Sequence, residues 1–481
     1  MKKKILIIGS GLAGSLLGNE LGKNHDVTLL EKGPHNSITY PQLHFHHKKF
    51  AEVHTCCYGG GGSTNLWHNG LIPIRTDDVV GSEFREVLGQ AQSYIDQTAA
   101  ALFYTGASFS EDHRQLVNNA NSLLPTTYSP SSSPSQGIDC LVYPKKFRRL
   151  TLSAAVKAIF DVEAIDFVYR DGRISKVNYR VAGAQHALEP DVVIVAAGTL
   201  GTPGVIQKVV RAAGMSDESV GVGFIDHPMG FVGKVKVKKE LSSVIKKLSA
   251  WDRGDYVSRN AVRLKSACGK YTACAFFRPA LTMDNRLSIY KYKSSLGASN
   301  GMARIRNIFS WKIFHPDMIA EIFAHLFGVN IPSRIYNILL ITEQKRGGSR
   351  VYEEDGAIQV KWTVTDDELA TYRAMLKDLE GMLGDIADAI NINTNITSDW
   401  LWSAAHHSGT ISLGSGEDDL VDTNLKLNCC DNVYVCDGSV LQEHSYANTG
   451  LAIGQLAFRL ADHLNNKILP RAEHAEIAEK T

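Results

Sequence analysis

Apolar and polar positions near the start of the chain follow a strand, helix, strand pattern. The run KILIIG, residues 4–9, is a continuous apolar stretch of strand length, and small residues at helical spacing follow it. A second apolar run, DVTLLEKG at residues 26–33, also has strand length. Strand, helix and strand within about 30 residues predict a βαβ unit with two parallel strands.

The turn between the first strand and the helix contains a glycine fingerprint. Gly9, Gly11 and Gly14 form G-x-G-x-x-G, and Glu31 at the end of the second strand follows Gly9 by 22 residues. In this pattern the glycines allow a tight turn and close approach of a pyrophosphate to the helix N-terminus, while an acid about 20 residues on holds the adenosine ribose. The fingerprint predicts a dinucleotide site but does not separate NAD from FAD, because both bind through ADP.

Three later segments continue the pattern. YGGGGSTNLWHNG, residues 58–70, would lay bare backbone against a ring or a phosphate, or form a flexible loop. PDVVIVAAGTLGTPGVIQKVV, residues 190–210, predicts a strand, a turn and a helix that begins near Pro203. Residues 432–464 predict a strand that ends at Asp437 and Gly438, then a loop and an amphipathic helix from about Asn448.

Length and charge limit the class of protein. The 481 residues exceed the roughly 250–300 at which one hydrophobic core stops growing, so we expect two domains. Lys and Arg total 51 against 50 for Asp and Glu, and the near-zero net charge argues against a nucleic-acid partner. The eight cysteines include no C-x-x-C spacing, which favours reduced thiols and a cytoplasmic location.

No segment of the sequence predicts a transmembrane helix. The lysines and apolar run at the N-terminus superficially resemble a signal peptide, but the pattern after them is a helix and a second strand. The most apolar later stretch, residues 313–332, contains His315, Asp317, Glu321 and His325 and is too polar to span a bilayer. It predicts a core or surface helix, or an interfacial helix that docks on a membrane.

Taken together, the motifs resemble the glucose-methanol-choline (GMC) family of FAD-dependent oxidoreductases. The resemblance extends in the family's order along nearly the whole chain, although this chain is on the short side for the family. It rests on residues 5–33, the Gly-rich loop at 59–65, AAGTLGTP at 196–203, VGFIDHP at 222–228, EQKRGGSRV at 343–351, HHSGT at 406–410, and residues 432–464.

The resemblance implies roles for individual residues around FAD. Gly9, Gly11, Gly14 and Glu31 would bind the ADP part. Gly61, Gly62, Ser63 and Asn65 of the second loop would lie along the pyrophosphate and flavin, Asp437 and Gly438 would reach the ribityl region, and the helix end at Thr449 would face the flavin. Some members attach FAD through a histidine in the second loop. Asn65 stands at that position here, so noncovalent FAD is expected, with His68 close by in sequence.

Alcohol oxidation requires a base for the hydroxyl proton and an acceptor for the carbinol hydride, which would be flavin N5. In the family motif H-x-x-G-T the leading histidine is the base, and the spacing to Gly409 and Thr410 selects His406. His407 is then structural or lines the pocket. The second catalytic position falls at Asn448, which would orient the substrate oxygen, and His444 is its rival.

Two other patterns suggest different chemistry. HFHHKKF at residues 44–50, with His54, Cys56 and Cys57, contains metal-ligand residue types without tetrahedral spacing, so no metal is expected. GASNG at residues 297–301 matches the nucleophile elbow of serine hydrolases, with Ser299 in the centre after the strand-like RLSIYKYK. A surface loop explains GASNG better, because a hydrolase has no use for a dinucleotide fingerprint.

The expected architecture is an α/β fold with a discontinuous domain. Residues 1–70, 150–235 and 425–470 would form a Rossmann-like FAD-binding domain. Residues 71–149 and 236–424 would form an α+β substrate domain of antiparallel sheet and helices, with residues 350–364 as a hairpin.

The function that follows is oxidation of a CH–OH group of an alcohol or sugar-like substrate. A flavin-dependent lyase, or a flavoprotein of this fold without redox activity, is the alternative. The sequence does not choose among the alcohols, among oxygen, a quinone or a cytochrome as electron acceptor, or among oligomeric states.

Overall fold

The structure is a computed structural model that describes residues 2–46, 54–123, 137–145, 149–249, 251–291, 314–320 and 332–468. Its main helices are α1 (Leu12–Leu21), α2 (Ser82–Ala91), α3 (Ile95–Ala101), α4 (Phe109–Leu123), α5 (Gly198–Ala212), α6 (Ser242–Ser249), α7 (Asp366–Gly384) and α8 (Thr449–His463). The first nine strands are β1 (Lys4–Ile8), β2 (Asp26–Leu30), β3 (Leu43–Phe45), β4 (Gly137–Pro144), β5 (Val156–Ile159), β6 (Val162–Arg170), β7 (Arg173–Val181), β8 (Ala184–Leu188) and β9 (Val192–Val195). The later strands are β10 (Pro228–Val237), β11 (Trp251–Asp252), β12 (Tyr256–Lys265), β13 (Thr272–Ala280), β14 (Ile335–Thr342), β15 (Arg350–Glu354), β16 (Ala357–Lys361), β17 (Ala387–Ile392), β18 (Trp402–Ser403) and β19 (Val433–Val435).

A five-stranded parallel sheet in the order β19-β9-β1-β2-β5 forms the first layer. Its strands come from the beginning, the middle and the end of the sequence. They are almost wholly apolar because helices cover both faces of such a sheet. Their carboxyl ends lead into Gly9, Glu31, Ala196 and Asp437, and loops at this edge form the ligand crevice of open parallel sheets.

An eight-stranded antiparallel sheet forms the second layer. Its order is β11-β12-β13-β14-β10-β17, with β4 paired to β12 and β18 paired to β10. One face, which includes Val262, Ala275 and Leu340, packs against α6 and α7. The opposite face, which includes Phe276 and Leu339, joins the hydrophobic core of the parallel sheet. The α/β class and the pairing of a Rossmann-like sheet with an antiparallel one are therefore confirmed, while the exact domain boundaries stay a prediction.

The hairpin expected within residues 350–364 is present. Strands β15 and β16 pair antiparallel, with Asp355 and Gly356 at φ 50° and 76° in the turn. Positive φ at both central residues is the geometry of the tight hairpin turn that matches strand twist.

Two predictions from local pattern are wrong. RLSIYKYK has the alternation of a strand, but residues 287–291 are helical, and Ser299 with the rest of GASNG lies outside the described residues. Helix α5 begins at Gly198, well before Pro203. Proline is tolerated inside this helix because the hydroxyl of Thr410 donates to the Thr199 carbonyl at 3.0 Å, in place of the N–H that Pro203 lacks.

Within the described residues no helix is long and apolar enough to cross a membrane. Of the apolar stretch at 313–332, residues 316–320 are helical and residues 321–331 lie outside the description.

Replacement of Thr410 tests the contact that replaces the missing N–H. Thr410→Val keeps the shape but leaves the buried Thr199 carbonyl without its donor, which should lower the free energy of unfolding by about 1–3 kcal/mol in urea denaturation. Thr397→Val is the matched control, since Thr397 is exposed and its side chain makes no cap hydrogen bond. Equal stability of the two variants would contradict this account of α5.

Candidate active site

The glycines of the fingerprint are fixed by close backbone packing. Gly9 has φ 105°, and a Cβ there would lie 2.4 Å from the Ala196 carbonyl oxygen. A Cβ at Gly14 would lie 2.0 Å from the carbonyl oxygen of Gly9. Only glycine fits at both positions, so α1 begins directly against the ends of β1 and β9.

The N-terminus of α1 has no side-chain cap. Gly11 is the N-cap residue, and a Cβ built on it would meet nothing within 4 Å. A Cβ on Gly62 would lie 2.8 Å from the Gly11 Cα, so the second glycine loop passes directly over this helix end. The amides of the first turn and a bare glycine backbone thus face open space together, as an anion site requires.

The other predicted residues of the second loop hold its conformation. Gly61 has φ 83°. The Asn65 side chain donates to the carbonyl oxygens of Gly60 at 3.1 Å and Gly62 at 2.7 Å, and Ser63 is exposed. An amide used in this way supplies no nucleophile for a covalent cofactor link.

Glu31 organises three loops in this structure. Its carboxylate accepts from the Ser10 amide at 2.8 Å and hydroxyl at 2.7 Å, and from the amides of Gly33 at 2.8 Å and Gly59 at 3.0 Å. A carboxylate offers about four acceptor positions. Ribose binding by Glu31 stays a prediction, and it requires one donor, such as the rotatable Ser10 hydroxyl, to move aside.

Strand β19 leads into Asp437 and Gly438, which connect the start of α5 to the HHSGT loop at residues 406–410. The buried Asp437 carboxylate accepts from the Gly198 amide at 2.9 Å, the Thr202 hydroxyl at 2.5 Å and the Ser439 amide at 2.7 Å. A Cβ on Gly438 would lie 2.8 Å from the His407 carbonyl oxygen. Burial raises the pKa of Asp437, and its hydrogen bonds fix the start of α5 beside this strand.

A buried cluster of four histidines surrounds Asp226. The Asp226 carboxylate accepts from the amides of His227 at 2.7 Å and His406 at 3.0 Å and from the Ser403 hydroxyl at 2.5 Å. Its other contact is the His407 Nδ1 atom at 3.1 Å. Burial alone would raise the pKa of Asp226, but His407 and Ser403 hold it below its ordinary range.

The hydrogen bonds of His227 determine which nitrogen of His406 carries a hydrogen. His227 Nε2 lies 2.8 Å from the carbonyl oxygen of Ser445, which only accepts, so this nitrogen must be the donor. In a neutral His227 the Nδ1 atom is then an acceptor, and it lies 2.8 Å from Nδ1 of His406. His406 therefore donates from Nδ1, which leaves the lone pair on Nε2.

Three histidines of the cluster, His227, His406 and His444, stay uncharged well below neutral pH. Burial lowers the pKa of His406 to about 4 and that of His444 to about 4, and it places the pKa of His227 well below the ordinary value. The Nε2 atom of His406, on a half-buried side chain, makes no hydrogen bond within the described part of the chain. A neutral imidazole with an accessible lone pair can accept a proton.

The two histidines at 406 and 407 have different surroundings. His406 meets His227 edge to face, with ring centroids 5.0 Å apart. His407 is buried between Phe45 and Phe224, at 5.8 and 5.4 Å, and its carbonyl accepts from the Thr199 hydroxyl at 2.6 Å. His407 thus connects loops, whereas His406 presents a ring nitrogen.

The rivals for the second position also differ. His444 is fully buried, and its ring centroid lies 3.9 Å from that of His227. Asn448 is the half-buried N-cap residue of α8, and its side chain makes no cap bond. Its amide borders Gly70, where a Cβ would lie 3.1 Å from Asn448 Nδ2. Thr449 is buried as the first residue of α8, and in the following residue a Cβ on Gly450 would meet the Trp67 ring.

Asp226 and His227 are functional candidates that the motif analysis did not single out. Both lie in VGFIDHP, directly before β10. An acid next to a histidine at a strand end was the available signal. What the sequence could not show is that Ser445, with φ 54°, turns its carbonyl toward His227.

In the described ranges no group of three or more His, Cys, Asp or Glu residues is arranged to hold a metal.

The chain is thus an α/β protein in which a parallel sheet with glycine loops at its carboxyl edge is joined to an antiparallel sheet with a histidine cluster. Residues 349–457 match the family model described as GMC oxidoreductase. This match lies in the C-terminal part of the chain and agrees with the family that the sequence motifs resemble.

Two solved structures share the fold. Pyridoxine 4-oxidase from Mesorbium loti is similar over 96% of this chain and 99% of its own, with 13% identity and a TM-score of 0.57. An FAD-dependent oxidoreductase from Chaetomium thermophilum, in complex with a small-molecule fragment, is similar over 97% and 100%, with 13% identity and a TM-score of 0.56. No curated protein sequence matches the chain.

The buried neutral histidines should make the protein sensitive to acid. For His444 the pKa is near 6.5 in the unfolded chain and about 4 in the folded protein, so between these values the unfolded chain binds a proton that the folded protein does not. The free energy of unfolding should then fall as pH falls, by up to about 1.4 kcal/mol per pH unit for each such histidine.

His444→Gln should reduce this slope, measured by urea denaturation at several pH values between 4 and 6.5. His186→Gln is the control, because His186 is exposed on β8. An unchanged slope in the His444 variant would show that His444 does not stay neutral in the folded protein.

Proposed function

We propose that this protein binds FAD without a covalent link and oxidises the CH–OH group of an alcohol or sugar-like substrate to a carbonyl, with His406 as general base and Asn448 as the residue that orients the substrate oxygen. The observation that carries the proposal is the lone pair on His406 Nε2, which the chain from Ser445 through His227 to His406 directs. The match of residues 349–457 to the GMC oxidoreductase model supports it, as do two structural neighbours named as an oxidase and as an FAD-dependent oxidoreductase.

The residues present fit an FAD dinucleotide. The uncapped α1 terminus at Gly11, with Gly62 above it, suits the pyrophosphate. The bonds of Asn65 to backbone carbonyls, together with the absence of a histidine at that position, support noncovalent binding. Gly9, Gly14, Glu31, Gly61, Ser63, Asp437, Gly438 and Thr449 complete the proposed set.

FAD supplies, when bound, the acceptor for the carbinol hydride at N5 of its flavin. The chain itself has to remove the hydroxyl proton. His406 is suited to this because burial keeps it neutral and its Nδ1 proton is engaged with His227, so Nε2 is the atom that takes the substrate proton.

Asn448 is proposed to assist the removal of the hydroxyl proton by orienting the substrate oxygen. Its side-chain amide is half-buried and unused by the helix it precedes, so it is available to donate to the substrate oxygen. Ser445, which holds His227, lies three residues before Asn448. The short segment from Ser445 to Asn448 therefore carries both the carbonyl that accepts from His227 and the proposed catalytic Asn448.

The first test is the colour of the purified protein. It should be yellow, release FAD on acid precipitation, and bleach anaerobically with a member of an alcohol panel. His406→Ala should lower the rate of that flavin reduction by about a hundred- to ten-thousandfold, the usual loss for a general base.

His407→Ala is the neighbouring control, and it should reduce the rate far less. A colourless protein that cannot be reconstituted would refute the flavoenzyme proposal. A larger loss in the His407 variant would transfer the role to His407, and turnover without bleaching would favour a lyase.

His227 should act as a positioning residue. His227→Gln can accept from His406 Nδ1 and donate to the Ser445 carbonyl, so it should keep most of the rate of flavin reduction. His227→Leu leaves His406 free to take the other tautomer and should lower that rate about tenfold or more, with FAD still bound.

A pH profile separates positioning from a general loss of structure. In the wild type the rate of flavin reduction should hold down to the His406 pKa of about 4, since the neutral base is lost only there. In His227→Leu the acidic pH at which the rate begins to fall should differ from the wild-type value. If His227→Gln and His227→Leu reduce the flavin at equal rates and lose activity at the same acidic pH, His227 is not a positioning residue.

A further inference from the structure

A row of polar side chains crosses the antiparallel sheet on the face that turns toward the parallel sheet. Arg278 on β13 pairs with Asn337 on β14, and Asn337 pairs with Lys234 on β10. On the other side Arg259 on β12 pairs with Leu141 on β4. Leu141 is apolar, so the polar row itself spans four adjacent strands, β10, β14, β13 and β12.

Arg259 and Arg278 are neighbours within this row. The ladder between β12 and β13 ends at the pair Ala261 and Phe276, and both of these residues belong to the core shared with the parallel sheet. Side chains two residues apart on a strand share a face. Arg259 and Arg278 are the next residues outward on that face, one on each strand, and both are half-buried.

Arg278 lacks a counter-charge in the described part of the protein, where no ion pair to it is recorded. Asp317, at the end of the row, already pairs with the buried Lys234. The sequence from residue 285 to 316 contains six Lys or Arg and no Asp or Glu. An anion bound at Arg278 would supply the counter-charge that this guanidinium lacks.

Asn337 provides an independent sign of a missing partner. It is 1% exposed, and its Oδ1 atom has no hydrogen-bond partner in the described structure. A buried amide left unsatisfied costs free energy. Rotation of this amide would offer its N–H groups beside Arg278, the donors that an acid group accepts.

The arginine pair borders the proposed reaction centre. The Arg259 guanidinium lies 5.3 Å from the centre of the Tyr143 ring, and the charges of both arginines act on the Tyr143 hydroxyl. A Cβ on Gly70 would lie 3.2 Å from Tyr143 Cε1 and 3.1 Å from Asn448 Nδ2. A single aromatic ring thus connects the arginines to the residue proposed to orient the substrate oxygen.

We infer that the substrate is an alcohol with an acidic group, a carboxylate, sulfate or phosphate, that Arg278 and Arg259 bind while its carbinol reaches Asn448 and His406. This inference rests on the proposed oxidation of a CH–OH group. Guanidinium is suited to the task, since its fork of donors matches the oxygens of all three acid groups.

The test uses one matched pair of probes on the FAD-bound protein, kept anaerobic with its flavin already reduced so that bound alcohol is not oxidised. 4-(Hydroxymethyl)benzoate and its methyl ester share the primary alcohol and the ring but differ in charge. Isothermal titration calorimetry should give a dissociation constant about ten- to hundredfold lower for the carboxylate, as expected of charge-assisted hydrogen bonds. Sodium sulfate should compete with the carboxylate and leave the ester unaffected.

Substitutions test whether Arg278 and Arg259 cause the preference for the carboxylate. Arg278→Gln should abolish the preference for the carboxylate, Arg278→Lys should keep part of it, and Arg259→Gln should weaken it. Arg211→Gln, on the exposed side of α5, should leave it intact.

Three results of the binding measurements would overturn the inference: equal affinity for the two probes, no saturable binding of the carboxylate, or an unchanged preference in Arg278→Gln. Anaerobic flavin reduction separates this from the proposed function. An ester that reduces the flavin as fast as the acid would keep alcohol oxidation and refute the acid site. A tightly bound carboxylate alcohol that leaves the flavin oxidised would keep the acid site and count against oxidation.

Discussion

The site depends on one buried carboxylate, that of Asp226. It has no exposure to solvent, and a buried carboxylate is stable only when its oxygens are fully hydrogen-bonded. Its partners come from chain segments far apart in sequence, namely its own neighbour His227 and Ser403, His406 and His407 of the HHSGT region. To satisfy Asp226 the protein must bring β10 and the HHSGT loop together, and doing so sets His406 against His227. The position of the proposed base is thus a consequence of burying an acid.

The orientation of that base depends on backbone conformation rather than on a side chain. Ser445 adopts φ 54°, an unfavourable region for a residue with a Cβ, and its carbonyl accepts from His227. Ala405, directly before His406, has φ 62°. Strain of this kind persists only where the surroundings over-determine it. Here the two strained residues flank the His227 to His406 contact, so the free energy of folding holds the tautomer in place.

Sequence patterns predicted the features that short-range physics determines. The glycine fingerprint, the parallel strands, the hairpin at β15 and β16 and the start of α8 after Asn448 follow from spacing and turn chemistry. The start of α5 could not be predicted, because the donor that makes Pro203 tolerable belongs to Thr410, 211 residues from its acceptor. His227 was missed for a similar reason, since its importance comes from a carbonyl that only the folded loop aims at it. Local sequence patterns therefore fail to predict features that depend on polar contacts between residues far apart in the sequence.

Charge placement along the antiparallel sheet accounts for both the neutral base and the cationic row. Near the histidines, cations are paired with buried acids: Arg263 with Asp78, Arg75 with Asp139, and Lys345 with Glu343 and Glu443. These acids offset positive charge near the cluster, and burial is the largest cause of the low pKa of His406. Arg259 lies four residues before Arg263 on the same face of β12. Arg278 lies across from Arg259 and forms no ion pair with an acidic residue in the described structure. In the proposed mode of substrate binding, proton transfer at His406 and charge recognition at Arg278 would take place at separate positions, because Arg259 and Arg278 lie about 13 Å along the strands from Arg263.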